Sequence, residues 1–247
     1  MEEKFWYLKQ CDLFSRLTPE QVEAVEARCR VRTFNRGSLI YLPSDQNDAV
    51  LLLASGRVKI YHLTAEGKQA LLALIDPGEL FGELAVFAAG QRDEFAETME
   101  KSVAILIPRD VLQELMDQHA NVAVGITRLM GLRRQRVEQR LKSLLFRSNR
   151  ERLVHLLLEL AGRYGRQTTD GVQLTIKLSH QDLASIIGST RETVTVVLGE
   201  LQAEGMLLIR RRQIILASLD RLATTVNERV PVLPQPARPG DPVLRQA

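Results

Sequence analysis

Between Arg109 and Arg147 the chain contains no proline, and its only glycines are Gly125 and Gly131. With nothing to break the i to i−4 ladder, this stretch predicts helix throughout. Within it Ile126, Met130, Val137, Leu141 and Leu144 recur at spacings of 4, 7, 4 and 3. That is a coiled-coil-like seam of about three heptads, which a surface helix of one small domain does not need. The spacing therefore predicts a helix that pairs with a second copy of the chain, a homodimer. Arg133 falls where the seam expects an apolar residue. A charge there is costly unless something compensates it or the side chain snorkels out.

The chain on either side of this helix has a different texture. Thr18, Pro19 and Glu20 form a helix start, with an N-cap followed by proline in the first turn. From 31 to 107 come short apolar runs, "VRTF", "SLIYL", "AVLLLAS", "RVKIYHL", "QALLALI" and "VAILI", broken by glycine-bearing turns. Such spacing predicts a sandwich or barrel. Beyond the long helix, Leu153, Leu156, Leu157 and Leu160 mark one face of a helix over 150–163, followed by the polar connection "GRYGRQTTDG" and the short strand "VQLTIKL". Five of the nine prolines fall after residue 230, which predicts a disordered tail over 227–247. The expected fold class is α+β, with a β-rich region over 1–118, a long helix over 119–147 and a third region over 148–226.

Charge separates the two ends. Residues 1–118 carry 13 Lys+Arg against 19 Asp+Glu, or −6; the remaining 20 against 11 give +9, and the two sum to the chain's +3. An acidic half followed by a basic half suggests that the second meets a polyanion, most simply double-stranded DNA. The chain opens "MEEKFWYLKQ", with no apolar leader, and has no run long enough to span a membrane, so the expected location is cytoplasmic. Cys11 and Cys29 are too few for a disulfide scaffold, and no metal site is expected. A metal-dependent enzyme on a similar β-fold needs clustered His and Glu, whereas only His62 falls in strand-like sequence. No catalytic residues are assigned.

"LSHQDLASIIGSTRETVTVVLGEL", residues 178–201, has the helix-turn-helix pattern. Ala184 is small where two helices cross, Gly188 lies in the turn, and Leu183, Ile187, Val194 and Val197 supply a shared core. Ser179 and Thr190 are N-cap types. With Val194, Val197 and Leu201 inward, Arg191, Glu192 and Thr195 face outward at the end of the second helix that enters a major groove. Arg191 can grip guanine O6 and N7, and Glu192 can accept from cytosine N4. Ser189 and Thr190 suit phosphate, and Ser179, His180 and Gln181 lie at the start of the first helix beside the DNA backbone. Arg210, Arg211 and Arg212 form a basic turn between two apolar strands, which makes the motif winged.

These segments together resemble the cyclic-AMP receptor and fumarate–nitrate regulator (CRP/FNR) family of bacterial transcription factors. The resemblance covers about residues 10–220 and rests on "GELFGELAVF", the long helix and the helix-turn-helix before its wing. It implies an N-terminal double-stranded β-helix (a jelly-roll-like, cyclic-nucleotide-binding-like β-roll), a long dimerisation helix and a C-terminal winged helix-turn-helix. It also implies a homodimer on near-palindromic promoter sites that contacts RNA polymerase. Arg191 and Glu192 match the family's base-reading pair. Where receptor-type members carry a second arginine this chain has Val196, for which contact with a thymine methyl is a substitute.

The same resemblance assigns an effector site. Cyclic-AMP receptors hold the ribose with a Gly-Glu-Leu turn and the cyclic phosphate with an Arg-Ser pair. Here Gly82, Glu83, Leu84 and Arg92 match, but Asp93 replaces the serine and the loop is one residue shorter. An aspartate within about 4 Å of a phosphate costs about 1–4 kcal/mol, depending on the dielectric. Val137 and Glu138 stand where receptors offer hydroxyls to adenine. The branch of cyanobacterial global nitrogen regulators, which sense 2-oxoglutarate, implies Phe81, Gly82, Arg92, Arg133 and Glu138 as ligand contacts. A 2-oxoglutarate-like acid is thus favoured over a cyclic nucleotide as effector, with a ligand-independent regulator as the alternative.

Overall fold

The computed structural model describes residues 14, 17–87, 90–210 and 213–234. The chain divides into two compact units, Met1–Arg136 and Val137–Ala247. Cys11, Arg211, Arg212 and tail residues 235–247 lie outside the described residues.

The first unit begins with α1 (Pro19–Arg28), which Thr18 caps in a reciprocal box with Gln21. Its strands are β1 (Arg30–Phe34), β2 (Leu39–Tyr41), β3 (Ala49–Ser55), β4 (Val58–Leu63), β5 (Gln69–Ile75), β6 (Leu80–Phe81), β7 (Phe95–Thr98) and β8 (Ser102–Pro108). They form two four-stranded sheets, ordered β1-β8-β3-β6 and β2-β7-β4-β5. Strand β3 shows why the unit is layered. Leu51 and Leu53 join Tyr41, Val58, Ile60, Phe81 and Ala96 in a core drawn from both sheets. Val50, Leu52 and Ala54, on the alternate face, pack with Ile105, Ile107 and the helices. Period-two alternation thus sends successive side chains into two different cores. Each fully buried leucine contributes about 2 kcal/mol of transfer free energy.

The helical stretch is not continuous. α2 (Arg109–Gln118) ends at His119, which is extended (φ −131°, ψ 95°), and α3 (Ala120–Phe146) starts anew. On a straight helix Ile126 would lie about 22 Å along the axis from Val111. The break brings Val111, Leu112 and Leu115 into one cluster with Val122 and Ile126. The division between units consequently falls inside α3. Ile126 is a correction to the expected seam: it is wholly buried in its own unit's core and has no surface left for a partner. Met130 packs at the edge of the same cluster.

In the second unit, Val137, Leu141 and Leu144 are 66%, 55% and 40% exposed, a row at spacings of four and three on α3. α4 (Asn149–Tyr164) is capped by Ser148 in a box with Glu151 and buries Leu153, Leu156, Leu157 and Leu160. The segment read as a polar connection contains β9 (Gly165–Thr168), hairpinned to β10 (Gly171–Leu174). After α5 (His180–Ile187) and α6 (Arg191–Ala203) come β11 (Leu207–Arg210), β12 (Gln213–Leu216) and α7 (Leu219–Thr225). The four strands make one antiparallel sheet, β11-β12-β10-β9.

Residues 227–234, expected to belong to a disordered tail, instead lie against α4. Pro231 sits over Gly162 and Leu233 over Gly165, where a Cβ would stand 3.3 and 2.9 Å from their side chains. Glu228 reaches Arg147 and His155, each at 3.5 Å. Proline content predicted a chain unable to form regular structure, and none forms here; the two glycines supply a groove that holds it regardless.

Candidate functional site

Two groups of side chains carry chemistry, one in each unit. In the first unit, β6 runs into Gly82, whose backbone is left-handed (φ 67°, ψ 24°) and opens a short 3-10 turn over Glu83–Val86. Glycine is required there twice over. An L side chain is strained at that φ, and a Cβ would stand 2.5 Å from Arg92 Nη1. The Arg92 guanidinium therefore lies directly against the turn.

Arg92 is buried, 8% exposed. Its Nη2 donates to the Ala49 carbonyl at 2.6 Å, and its guanidinium carbon stands 4.0 Å from the centre of the Tyr41 ring. A desolvated cation over an aromatic face is stabilised by the ring quadrupole. Tyr41 Oη in turn donates to Glu94 Oε1 at 3.2 Å, and burial, reinforced by the Glu94 charge, raises the phenol's pKa well above its ordinary value. The Phe81 side chain is fully buried and stacks on Tyr41, so only its backbone is offered to the turn. Leu84 is half exposed on the outer side.

Arg133, which the helical spacing put at a seam position, has partners within its own unit. Its Nη1 pairs with the Glu83 carboxylate and its Nη2 donates to the Leu80 carbonyl. Glu83 is itself buried, 6% exposed, so the helix cation is what compensates that carboxylate. Asp93, read as a charge that could repel an anion, is exposed; its carbonyl oxygen lies 3.0 Å from His62 Nδ1. Glu138 and Val137 belong to the second unit.

In the second unit the local chemistry follows the sequence closely. Ser179 caps α5 in a reciprocal box with Asp182, and Gly188 ends it in the left-handed region (φ 65°, ψ 45°). Thr190 caps α6 by accepting from the Thr193 N–H. Caps of this kind are each worth about 1 kcal/mol. Leu183, Ala184, Ile187, Val194, Val197 and Leu201 are buried between these helices and α4, whereas Gln181, Arg191, Glu192, Thr195 and Val196 are exposed and Ser189 is half-buried. This places Arg191, Glu192, Thr195 and Val196 together on the outward face at the start of α6.

Several partners in this unit have no signature in local sequence. His180 Nδ1 lies 2.8 Å from Thr195 Oγ1, which also donates to the Arg191 carbonyl at 2.8 Å. Arg152 donates from Nε to the Arg147 carbonyl and from Nη1 to the Ile187 carbonyl, both at 3.0 Å. Leu144 packs against the helix-turn-helix itself: a Cβ on Gly188 would stand 2.8 Å from Leu144 Cδ2. In the wing, Arg210 pairs with Asp170 of the β9–β10 turn at 2.8 Å. The Arg152–Ile187, Leu144–Gly188 and Arg210–Asp170 contacts span 35 to 44 positions, beyond the reach of periodicity or cap rules.

Among the described residues no group of three or more His, Cys, Asp or Glu could hold a metal ion, and no helix is long and apolar enough to cross a membrane.

Comparison with known proteins agrees with both regions. Residues 31–119 match the cyclic nucleotide-binding domain family and residues 151–225 the Crp-like helix-turn-helix domain family. The chain is 30% identical over 204 residues to the global nitrogen regulator of Synechocystis, covering 82% of this chain and 88% of that one. It is 31% identical over 199 residues to the cyclic AMP receptor protein of Thermus thermophilus, covering 81% and 89%. Among solved structures, the c-di-GMP-responsive global regulator of Xanthomonas campestris superposes with a TM-score of 0.74 at 22% identity, over 81% of this chain and all of that one. With its β-roll, long helix and winged helix-turn-helix, the chain belongs to the CRP/FNR family of transcription regulators.

Proposed function

We propose that this regulator acts as a homodimer on near-palindromic promoter DNA and that its β-roll responds to a small monoanion of the cyclic-nucleotide type. The charge set around Gly82 carries the effector half of this reading. Arg133 is taken by Glu83, and Glu94 is held by the Tyr41 hydroxyl, whereas Arg92, against the Gly82 turn, makes no ion pair with another described residue. One such cation suits a ligand with one negative charge, such as a cyclic phosphodiester, better than the dicarboxylate favoured from sequence. Asp93, the residue that argued against a phosphate, is exposed. The cyclic nucleotide-binding domain match and the cyclic AMP receptor of Thermus thermophilus support the same direction.

The dimer rests on Val137, Leu141 and Leu144, an exposed apolar row at seam spacing. Two recognition helices of such a dimer enter successive major grooves when they stand about 34 Å apart. Arg191 and Glu192 read a G·C pair, Ser179, Ser189 and Thr190 meet phosphates, and the wing follows the backbone. RNA polymerase is the partner on the promoter, as the family resemblance implies.

Calorimetric titration of the full chain with cyclic AMP and, separately, with 2-oxoglutarate tests the effector. Heat with cyclic AMP that disappears in Arg92→Gln supports the reading. Heat with 2-oxoglutarate alone would reverse the choice of ligand, and silence with both would make the regulator ligand-independent. On the DNA side, Arg191→Ala is expected to cost about 1–3 kcal/mol on a selected site and little on random duplex, measured by titration at fixed salt.

A further inference from the structure

From the outward face of α6 we infer that this chain reads thymine methyl groups, through Val196 and the methyl of Thr195, beside the base pair read by Arg191 and Glu192. The inference rests on the reading that α6 enters a major groove, and it concerns what the groove must contain.

Thr195 would ordinarily count as a polar reader. A threonine hydroxyl has one proton to donate, and here that proton goes to the Arg191 carbonyl at 2.8 Å. His180 Nδ1 lies 2.8 Å from the same oxygen. With the proton already given, Nδ1 is the donor in that contact, so the hydroxyl has no proton for a base and one of its two acceptor sites is taken. Exposed Thr195 is left with one acceptor site and its methyl group. Val196, next in the chain, is 60% exposed and carries no polar group. Gly199, three residues on, adds nothing: the space around its Cα is open. After Arg191 and Glu192 the outward face therefore offers the Val196 side chain and the Thr195 methyl, with no proton donor from the Thr195 hydroxyl.

In the major groove a hydrocarbon surface distinguishes only one base, because thymine alone carries a C5 methyl while the other bases present donors and acceptors there. Placed against guanine, cytosine or adenine, Val196 and Thr195 would cover polar edges without replacing the water they bind. Thymine is thus selected both by contact and by the cost of the alternatives. Four residues at 1.5 Å each put about 6 Å of helix axis between Glu192 and Val196, so the thymine lies within one or two base pairs of the G·C pair.

The test begins with selection of duplexes from a random library by the full-length protein. Each thymine of the selected site is then replaced in turn by uracil, which deletes only the methyl. The wild type is expected to lose about fourfold in affinity at one thymine per half-site, the worth of one buried methyl group. Val196→Ala should bind the thymine site more weakly and show a smaller uracil penalty at that position. Val196→Arg should move the selected base from thymine to guanine. Wild-type affinity indifferent to uracil at every position would overturn the inference, as would an undiminished penalty in Val196→Ala. A selection that enriches no sequence would instead overturn the groove reading beneath it, so the two failures are distinguishable. The wild-type scan decides the matter even if either variant fails to fold, which circular dichroism would reveal.

Discussion

The two charged ends of this protein are built in opposite ways. At the β-roll turn every strong charge is engaged from within: Glu83 by Arg133, and Arg92 by the Ala49 carbonyl and the Tyr41 ring. At the start of α6, Arg191 and Glu192 are exposed and make no ion pair with another described residue. The closed end must exchange existing contacts before it can take a ligand, whereas the open end needs only to meet one. On the proposed reading, an effector competes with a resident carboxylate, and DNA is met by encounter, which electrostatic steering accelerates.

The comparison breaks most visibly if Arg133→Ala is harmless. Removing the helix cation leaves Glu83 buried without its partner, and the expected loss of stability is about 3 kcal/mol, read by denaturant titration of the whole chain. Arg191→Ala, the matching change at the open end, should leave the same titration unmoved. A Glu83→Gln, Arg133→Gln pair should recover much of the loss, since neither charge then remains unpaired.

A smaller effect separates backbone geometry from charge. Gly188→Ala forces a left-handed residue and brings a Cβ to 2.8 Å from Leu144 Cδ2. The expected cost is about 1–2 kcal/mol, with weaker DNA binding because the turn between α5 and α6 shifts. Stability at full wild-type value with intact binding would show that α3 and the turn are not coupled through Leu144.

The smallest expected effect concerns acid. Burial, then the Arg147 charge, holds the His155 pKa below its ordinary 6.5, with Glu228 and Glu151 opposing. A histidine with a depressed folded pKa binds fewer protons folded than unfolded. Stability of the winged unit is therefore full above that value and declines as pH falls below it. Glu228→Gln removes an opposing charge and should make the decline steeper. Identical melting of both proteins from neutral to mildly acidic pH would remove His155 and Glu228 from the stability account.

Legibility in the sequence follows the range of the interaction. Ser179, Gly188 and Thr190 occupy the roles their residue types announce, because a cap involves atoms within three or four residues. The β-roll is legible as a class from glycine-punctuated strands, yet β6 is two residues long and β9 lies in a segment that reads as loop. Arg133 and Ile126 show the limit most clearly. Period 3.6 assigns each to a stripe of α3 but carries no information on whether that stripe meets the chain's own sheet or another copy. Ile126 went to the β3–β8 face and Arg133 to Glu83, fifty residues away. The Glu83 pairing had no local signal at all.

The segment laid over Gly162 and Gly165 has a practical consequence for anyone handling this protein. Proteolytic trimming of the proline-rich end, or a tag joined close to Pro231, is not a cosmetic change. Any chain that stops short of Pro231 bares Gly162 in the helix that supports both α5 and α6, and Gly165 just past its end. Protease sensitivity of α4 would then report, ahead of any DNA assay, whether a preparation carries the segment from Glu228 to Leu233 intact.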